Sequence, residues 1–358
     1  MKKILVLLLA CLVLLSACEK EAPPKTATPA DAANVLNVLA GSELKDIEPL
    51  LPKVEQATGI RIALRYAGTL EAVERLQSGE QFDAAWVASN HYAMLVPAVK
   101  ARITASERTM LTPVVLGIKQ SKAKELGWEN NPNVTWKDIA HAATAGKFTF
   151  GMTSPASSNT GFSGLLGLAA ALSGKGDALE EKDIDAKSLS SFFKAQRLTA
   201  GSSGWLADAF VKEQDKVDGI INYASTLLSL NSKPELREKL VLIYPKDGIV
   251  TADYPIMLVN PAKREAYTKV VAYLRAKEFQ QEMAATTLRR PVNPDVQIAD
   301  MPVVENGKTC KQLLIDQLDL LNTQLSKIAE NVYKDDADAL VVNGKFLEEK
   351  FHSLSFVG

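Results

Sequence analysis

The 358-residue chain is poor in cysteine and histidine, with three of each, and in aromatic residues, at 6%. Three cysteines cannot build a disulfide framework, and the lack of any Cys-x-x-Cys pair excludes a structural zinc site of the common kind. Charge of one sign is lacking too. Lys+Arg 41 against Asp+Glu 42 leaves a formal net charge of −1, without the basic excess of a nucleic-acid binder, so no nucleic acid is expected as a partner. A content of 47% hydrophobic residues excludes a disordered chain. The length corresponds to roughly two domains of about 100–200 residues each.

Catalytic signatures are also missing. The sequence contains no Gly-x-Ser-x-Gly, His-Glu-x-x-His, Gly-x₄-Gly-Lys-Ser/Thr or Gly-x-Gly-x-x-Gly. Ser-x-x-Lys occurs at Ser42/Lys45, Ser121/Lys124 and Ser191/Lys194, but its Ser-Asp-Asn and Lys-Thr-Gly companions do not. His91, His141 and His352 are widely separated and read as solvated or capping residues. The chain therefore reads as no enzyme, with no catalytic residues, no metal and no cofactor. A secreted hydrolase stays the weakest reading, because no nucleophile has a visible base.

What is present begins with a leader. Lys2 and Lys3 precede an uninterrupted apolar run from Ile4 to Leu15. A bilayer-spanning helix takes about 20 apolar residues, so this run has instead the length of a secretory signal core. Leu15-Ser16-Ala17-Cys18 resembles the bacterial lipobox. The resemblance implies cleavage of residues 1–17 as a signal peptide and acylation of Cys18, on its thiol and on the new amino group, with palmitate-type chains. An ordinary secretory signal with a chance cysteine is the alternative. Two or three acyl chains, at about 0.8 kcal/mol per buried CH₂, would hold the protein on a membrane nearly permanently. Residues 18–33, with three prolines and no apolar period, read as a tether. Removal of residues 1–17 takes away Lys2 and Lys3 and moves the net charge from −1 to −3. Cys310 then remains as a partly buried small residue rather than a nucleophile.

From residue 34 onward, short apolar runs alternate with amphipathic stretches. Strands are predicted at Val35–Ala40, Ile60–Tyr66, Asp83–Ala88, Phe148–Thr153 and Asp218–Ala224. Helices are predicted through Ile47–Val54, over LEAVERLQ after Thr69, over Thr160–Leu172, over WLADAFVKEQ after Ser202-Ser203-Gly204, and from Thr226. Thr160–Leu172 is apolar nearly all round and so is expected to be buried. Such alternation indicates parallel-type sheets covered by helices, an α/β fold. Leu111–Lys119 and Val250–Asn260 look like crossings between two lobes. Near the end, Leu314, Leu318, Leu321, Leu325, Ile328 and Val332 have heptad-like spacing, and packing of that helix on the main body is the simpler reading.

Polar tips stand at the strand-to-helix junctions: Gly41-Ser42, Gly68-Thr69, Ser89-Asn90, and the run Ser154-Pro155-Ala156-Ser157-Ser158-Asn159-Thr160-Gly161. In a parallel sheet these lie at the carboxyl edge, where ligands of α/β proteins bind. A helix N-terminus offers unpaired N–H groups and a partial positive charge, so such tips can hold an anion without Lys or Arg. Each tip taken singly is also a good N-cap. The set of them points to a ligand.

In order, these motifs resemble the bacterial extracellular solute-binding lipoproteins of the type 2 periplasmic-binding fold, on the molybdate/sulfate/phosphate-type branch. The residues that carry the resemblance are VLNVLAGSELKDIEPLL, TGIRIALRYAGTLEAVERL, FDAAWVAS, FTFGMTSPASSNTGFSGLLGL, IINYASTLL, ADYPIMLVN and RRPVNP. It covers about residues 34–300. It implies two hinged lobes closing on one small, oxyanion-like solute for delivery to an ABC-type permease. Lobe 1 would comprise 34–111 and 252–308, lobe 2 residues 112–251, and 309–358 a C-terminal helical extension. Carried over by position, the ligand contacts would be Ser42, Thr69 and Ser89 in lobe 1. In lobe 2 they would be Ser157, Ser158, Asn159, Thr160, Tyr223 and Ser225, with Asp253 and Tyr254 at the return crossing. Glu43 departs from the pattern, because its charge opposes an oxyanion unless it points away or pairs. No Tyr-Tyr pair occurs, which sets the iron-binding relatives aside as a guide. The alternative is a lipid-anchored interaction, assembly or sensing protein that uses the same fold as a scaffold and its tail as a contact surface.

Overall fold

The computed structural model describes residues 34–175 and 180–296. The expected signal peptide, Cys18 and the expected tether lie outside the described residues, as do 297–308, Cys310 and the extension expected at 309–358.

Val38 to Gly41 are buried at the end of strand β1 (Val35–Gly41), as suits a strand covered on both faces. The next nine residues, Ser42–Leu50, form a 3₁₀ helix where the sequence pattern predicts an α-helix. Three residues per turn align Leu44, Ile47 and Leu50 on one buried face. Pro49 and Pro52 confine the α-helical part to α1 (Leu51–Thr58), which Gly59 ends in the left-handed conformation at φ 72°. Then come β2 (Arg61–Ala67), α2 (Thr69–Gln77), β3 (Ala84–Trp86), the short α3 (His91–Leu95) and α4 (Pro97–Lys100), and β4 (Ala105–Arg108).

The long strand β5 (Met110–Lys119) opens the second lobe, followed by α5 (Gln120–Glu125), α6 (Trp136–Thr144) and β6 (Phe150–Thr153). Next are α7 (Asn159–Ser173), α8 (Ala186–Phe193), β7 (Gln196–Ala200), α9 (Ser203–Lys212), β8 (Gly219–Tyr223), α10 (Ala224–Asn231) and β9 (Leu240–Ile243). The chain finishes its described part with β10 (Thr251–Ala252), β11 (Pro255–Leu258), α11 (Arg264–Leu274), α12 (Lys277–Thr287) and β12 (Arg290–Pro291).

Two sheets result, and both are mixed rather than purely parallel. The first has the order β2-β1-β3-β11-β4. In it β1 and β3 run parallel with Leu39 opposite Ala85, and β11 is antiparallel to β3 and β4. The second has the order β10-β5-β8-β6-β7, with β9 and β12 also on β5. There β6 is parallel to β7 and β8, while β5 is antiparallel to β8. The chain passes between sheets at Thr109, separating β4 from β5, and returns at Asp253–Tyr254, separating β10 from β11. Thr109 ties the two passages together: its hydroxyl donates to the Tyr254 carbonyl oxygen (2.7 Å) and accepts from Trp86 Nε1 (2.9 Å). Tyr254 has φ 43°, an uncommon conformation for a residue with a side chain.

Helix α7 departs from its expected full burial. Phe162 and Leu166, four residues apart on one face, are exposed, whereas Thr160, Gly164 and Leu168 face the core. Both exposed residues border the gap between lobes described below. Helix α6 starts with a reciprocal cap that composition alone does not reveal. Asp138 N–H donates to Thr135 Oγ1 (3.1 Å), and Thr135 N–H donates to Asp138 Oδ2 (2.9 Å). Thr135→Ala should lower stability by about 1 kcal/mol, read as a shift in the urea midpoint at unchanged slope.

Candidate functional site

The carboxyl ends of β1 and β2 meet the loops after β6 and β7, so the predicted tips of the two lobes face each other. They are joined directly. At the start of α2, the N–H groups of Leu70 and Glu71 donate to the Ser157 carbonyl oxygen of the other lobe at 3.0 and 3.2 Å. These are the unpaired donors of a helix N-terminus, and a carbonyl oxygen satisfies them. Ser42 Oγ donates to Ser202 Oγ (2.6 Å) and accepts from the Gly204 N–H (2.9 Å). Ser203 Oγ donates to Glu43 Oε2 (2.7 Å). Glycines make this seam sterically feasible. A Cβ on Gly68 would overlap the Ser157 carbonyl oxygen and come within 2.8 Å of the Gly201 carbonyl oxygen. One on Gly204 would lie 2.8 Å from the main chain of Ser42.

Beside the seam, a cavity of about 50 Å³ is lined by Thr69, Ser89, Asn159, Phe162 and Thr251 among others. That is room for a few waters. Thr69 Oγ1 accepts from the Ala88 N–H and Ser89 Oγ from the His91 N–H, so both hydroxyls are braced within their own lobe. Asn159 Nδ2 donates to the Tyr223 hydroxyl (3.1 Å), and the Tyr223 ring meets Tyr254 edge-on with centroids 5.8 Å apart. Burial pushes both tyrosine hydroxyls well above their ordinary range, which keeps them protonated.

The structure thus brings Ser42 and Ser157 to the seam and Thr69, Ser89 and Asn159 to the cavity beside it, while Tyr223, bonded to Asn159, and Tyr254 are buried in the core. Ser158 and Thr160 are turned into the base of α7, where Thr160 Oγ1 bonds Thr153 Oγ1 (2.7 Å) and Ser158 Oγ (3.2 Å). Ser225 is buried at the start of α10, its N–H donating to Thr112 Oγ1. Asp253 is paired with Arg108 at 3.0 Å.

Several residues of this region escape the sequence-based set. Ser202 and Ser203 occupy a strand-to-helix junction like the others, a signal the sequence does carry. Arg289 carries no local signal. It is fully buried, its Nη1 donating to both carboxylate oxygens of Asp46 (2.8 and 2.7 Å), and it lies 4.9 Å from the Tyr254 ring centroid. Glu43 is buried among these groups, its carboxyl folded back over Gly41, where a Cβ would lie 2.6 Å from Oε1. Burial raises its affinity for a proton, against the opposing Ser203 bond and the nearby Arg289 charge. The buried polar atoms without a hydrogen-bond partner among the described residues include Glu43 Oε1, Tyr254 OH, Arg289 Nε and Ser225 Oγ. Buried polar atoms are ordinarily paired, so these four stand out, and of them Glu43 Oε1 belongs to a residue of the seam.

A profile of the family described as bacterial extracellular solute-binding protein matches residues 36–286. No curated protein matches the chain in sequence at a significant level. Similar solved structures include the sulfate-binding protein SubI from Mycobacterium tuberculosis H37Rv, with TM-score 0.58, 17% identity, and coverage of 77% of this chain and 96% of that one. A ferric binding protein from Campylobacter jejuni gives TM-score 0.58 at 14% identity, covering 76% and 91%. A periplasmic thiamin binding protein gives 0.59 at 13% identity, covering 75% and 86%. At these identities the likeness establishes the fold.

Proposed function

The chain belongs to the bacterial extracellular solute-binding proteins, and from that premise we propose that it is a lipid-anchored receptor, held through Cys18 outside the cytoplasmic membrane. It takes a compact, oxyanion-like solute between its two lobes and presents it to an ABC-type permease. The observation that carries the anionic part is the start of α2. The N–H groups of Leu70 and Glu71 already bind an oxygen from across the seam, and a solute oxygen is the natural replacement for the Ser157 carbonyl. Serine hydroxyls of both lobes and the amide of Asn159 surround that point. Local dipoles then do what a mature net charge of −3 does not. In the closed conformation the cavity at Thr69 and Asn159 holds only a few waters, so solute entry there requires the lobes to part; a second cavity of about 440 Å³, lined by Ser42, Glu43, Lys45, Asp46 and Gly204 among others, also borders the seam.

Calorimetric titration with sulfate, phosphate, molybdate, tungstate and tellurite tests this. One-to-one binding of at least one of them is expected, and silence across the panel would remove the anionic assignment. Asn159→Ala should weaken the titrating anion by about 1–2 kcal/mol, a lost neutral hydrogen bond with Tyr223 left unpaired. Unchanged affinity would place the site elsewhere.

A further inference from the structure

The cavity at Thr69 and Asn159 has two unlike sides, and together they narrow the kind of anion it takes. The polar side is built of buried hydroxyls: Thr69, Ser89 and Ser163 line it at 4%, 9% and 4% exposure. Thr69 Oγ1 and Ser89 Oγ each accept a main-chain N–H, from Ala88 and His91, which leaves their own protons to be donated. The Ser163 hydroxyl makes no hydrogen bond among the described residues. Buried hydroxyls ordinarily find partners, so three donors converge on a space that protein atoms do not fill. No lysine or arginine joins them in the lining, and its one imidazole, His91, is exposed. The other side is apolar. Leu70, Tyr92, Phe162, Leu166 and Val250 line the same space. Phe162 and Leu166, one turn apart on α7, stay 37% and 41% exposed in the closed conformation. Among the described residues only five large apolar side chains are exposed, and two of the five border this one cavity. Such a patch beside buried polar groups is the lining of a ligand site.

A bare tetrahedral oxyanion carries oxygen in every direction and would turn part of it onto these side chains, where no donor meets it. A second negative charge would find no buried cation in the lining, and the cost of desolvating an ion grows steeply with its charge. We propose that the solute is a singly charged organic acid, a carboxylate or sulfonate with a short apolar tail. Its head lies on the three hydroxyls and the start of α2, and its tail lies between Phe162 and Leu166 of one lobe and Tyr92 of the other. This rests on the oxyanion reading for the head; the tail rests on the apolar side of the cavity. Because Tyr92 and the α7 pair belong to opposite lobes, a tail held between them is buried only when the lobes meet, and its burial favours closure.

Calorimetry with two homologous series tests this: methane-, propane- and pentanesulfonate beside sulfate, and acetate, butanoate and hexanoate. Affinity should rise along a series by about fourfold for each methylene buried, with the bare anion weakest. In the double variant Phe162→Ser with Leu166→Ser, the gain per methylene should fall below about twofold. Both side chains are partly exposed, so the variant is expected to fold, and its thermal midpoint checks that; the slope in the wild-type protein needs no variant. A bare oxyanion that binds, with homologues no tighter, would overturn the organic tail and leave the oxyanion reading standing. A slope unchanged in the double variant would overturn the placement of the tail on α7. Silence of both series and of the inorganic anions would remove the oxyanion reading and this inference with it.

Discussion

Gly68→Ala is expected to leave the fold intact and to cost the protein its solute. Gly68 has φ −72° and ψ 157°, a conformation that alanine adopts freely. Its loss of backbone freedom in the unfolded chain should raise stability slightly, by about 0.4–1 kcal/mol, provided the lobes can part. The methyl group, however, would occupy the position of the Ser157 carbonyl oxygen and crowd that of Gly201. A bound solute displaces the first of these but not the second, a main-chain atom that cannot rotate out of the way as a side chain can. Overpacking of this kind costs about 1–3 kcal/mol, or about 5- to 150-fold in affinity when the strain exists only in the closed state. The thermal midpoint should thus hold or rise while affinity collapses. Loss of both together would mean that Gly68 serves folding alone. Small-angle scattering should show the variant more extended than wild type.

Asp46→Ala should be the most destabilising of the substitutions considered. The guanidinium of Arg289 has no exposed surface, and Nη1 bonds both oxygens of Asp46. Without that carboxylate a buried positive charge keeps, among the described residues, the Glu43 main-chain oxygen, the face of Tyr254 and the nearby Glu43 carboxyl. Removing one partner of a buried pair typically costs about 3–5 kcal/mol. The Asp46 side chain is about one-third exposed (34%), so water can reach the vacated position and the lower end, about 3 kcal/mol, is expected. Urea denaturation reads it directly. Arg289→Met removes the charge together with its desolvation and should lose less than Asp46→Ala. The reverse order would assign the stability to packing of the arginine stem instead.

The parts of this protein legible in the sequence are those whose cause is local. β1, β2 and the helix over Leu70–Gln77 follow from apolar period and a terminating glycine, and their polar tips mark the seam because a strand-to-helix junction is a chain-local event. The 3₁₀ course of Ser42–Leu50 is less visible, since spacing of three and spacing of three-and-a-half overlap over so short a span. Helices α6 and α8 and strands β7 and β9 give no comparably clear signal. Leu240–Ile243 is too short for its period to separate strand from core loop, and its strand character comes from pairing with β5. The antiparallel placement of β11 and β5 depends on where two crossings pass, and no local pattern states that. The Asp46–Arg289 pair joins residues 243 positions apart, so RRPVNP could be read as part of a family pattern but not as the cleft's buried cation. Ser202 and Ser203 are a different case. They stand before a helix as Ser42 and Thr69 do, and so carry the same local signal.

On binding, a solute oxygen is expected to replace a protein oxygen at the start of α2. A crystal structure of the protein grown with the oxyanion that titrates tests it most directly. The anion is expected between the lobes, one of its oxygens within hydrogen-bond distance of the Leu70 and Glu71 N–H groups, and the Ser157 carbonyl displaced from them. An anion bound elsewhere, with the Ser157 carbonyl still on those two donors, would contradict it.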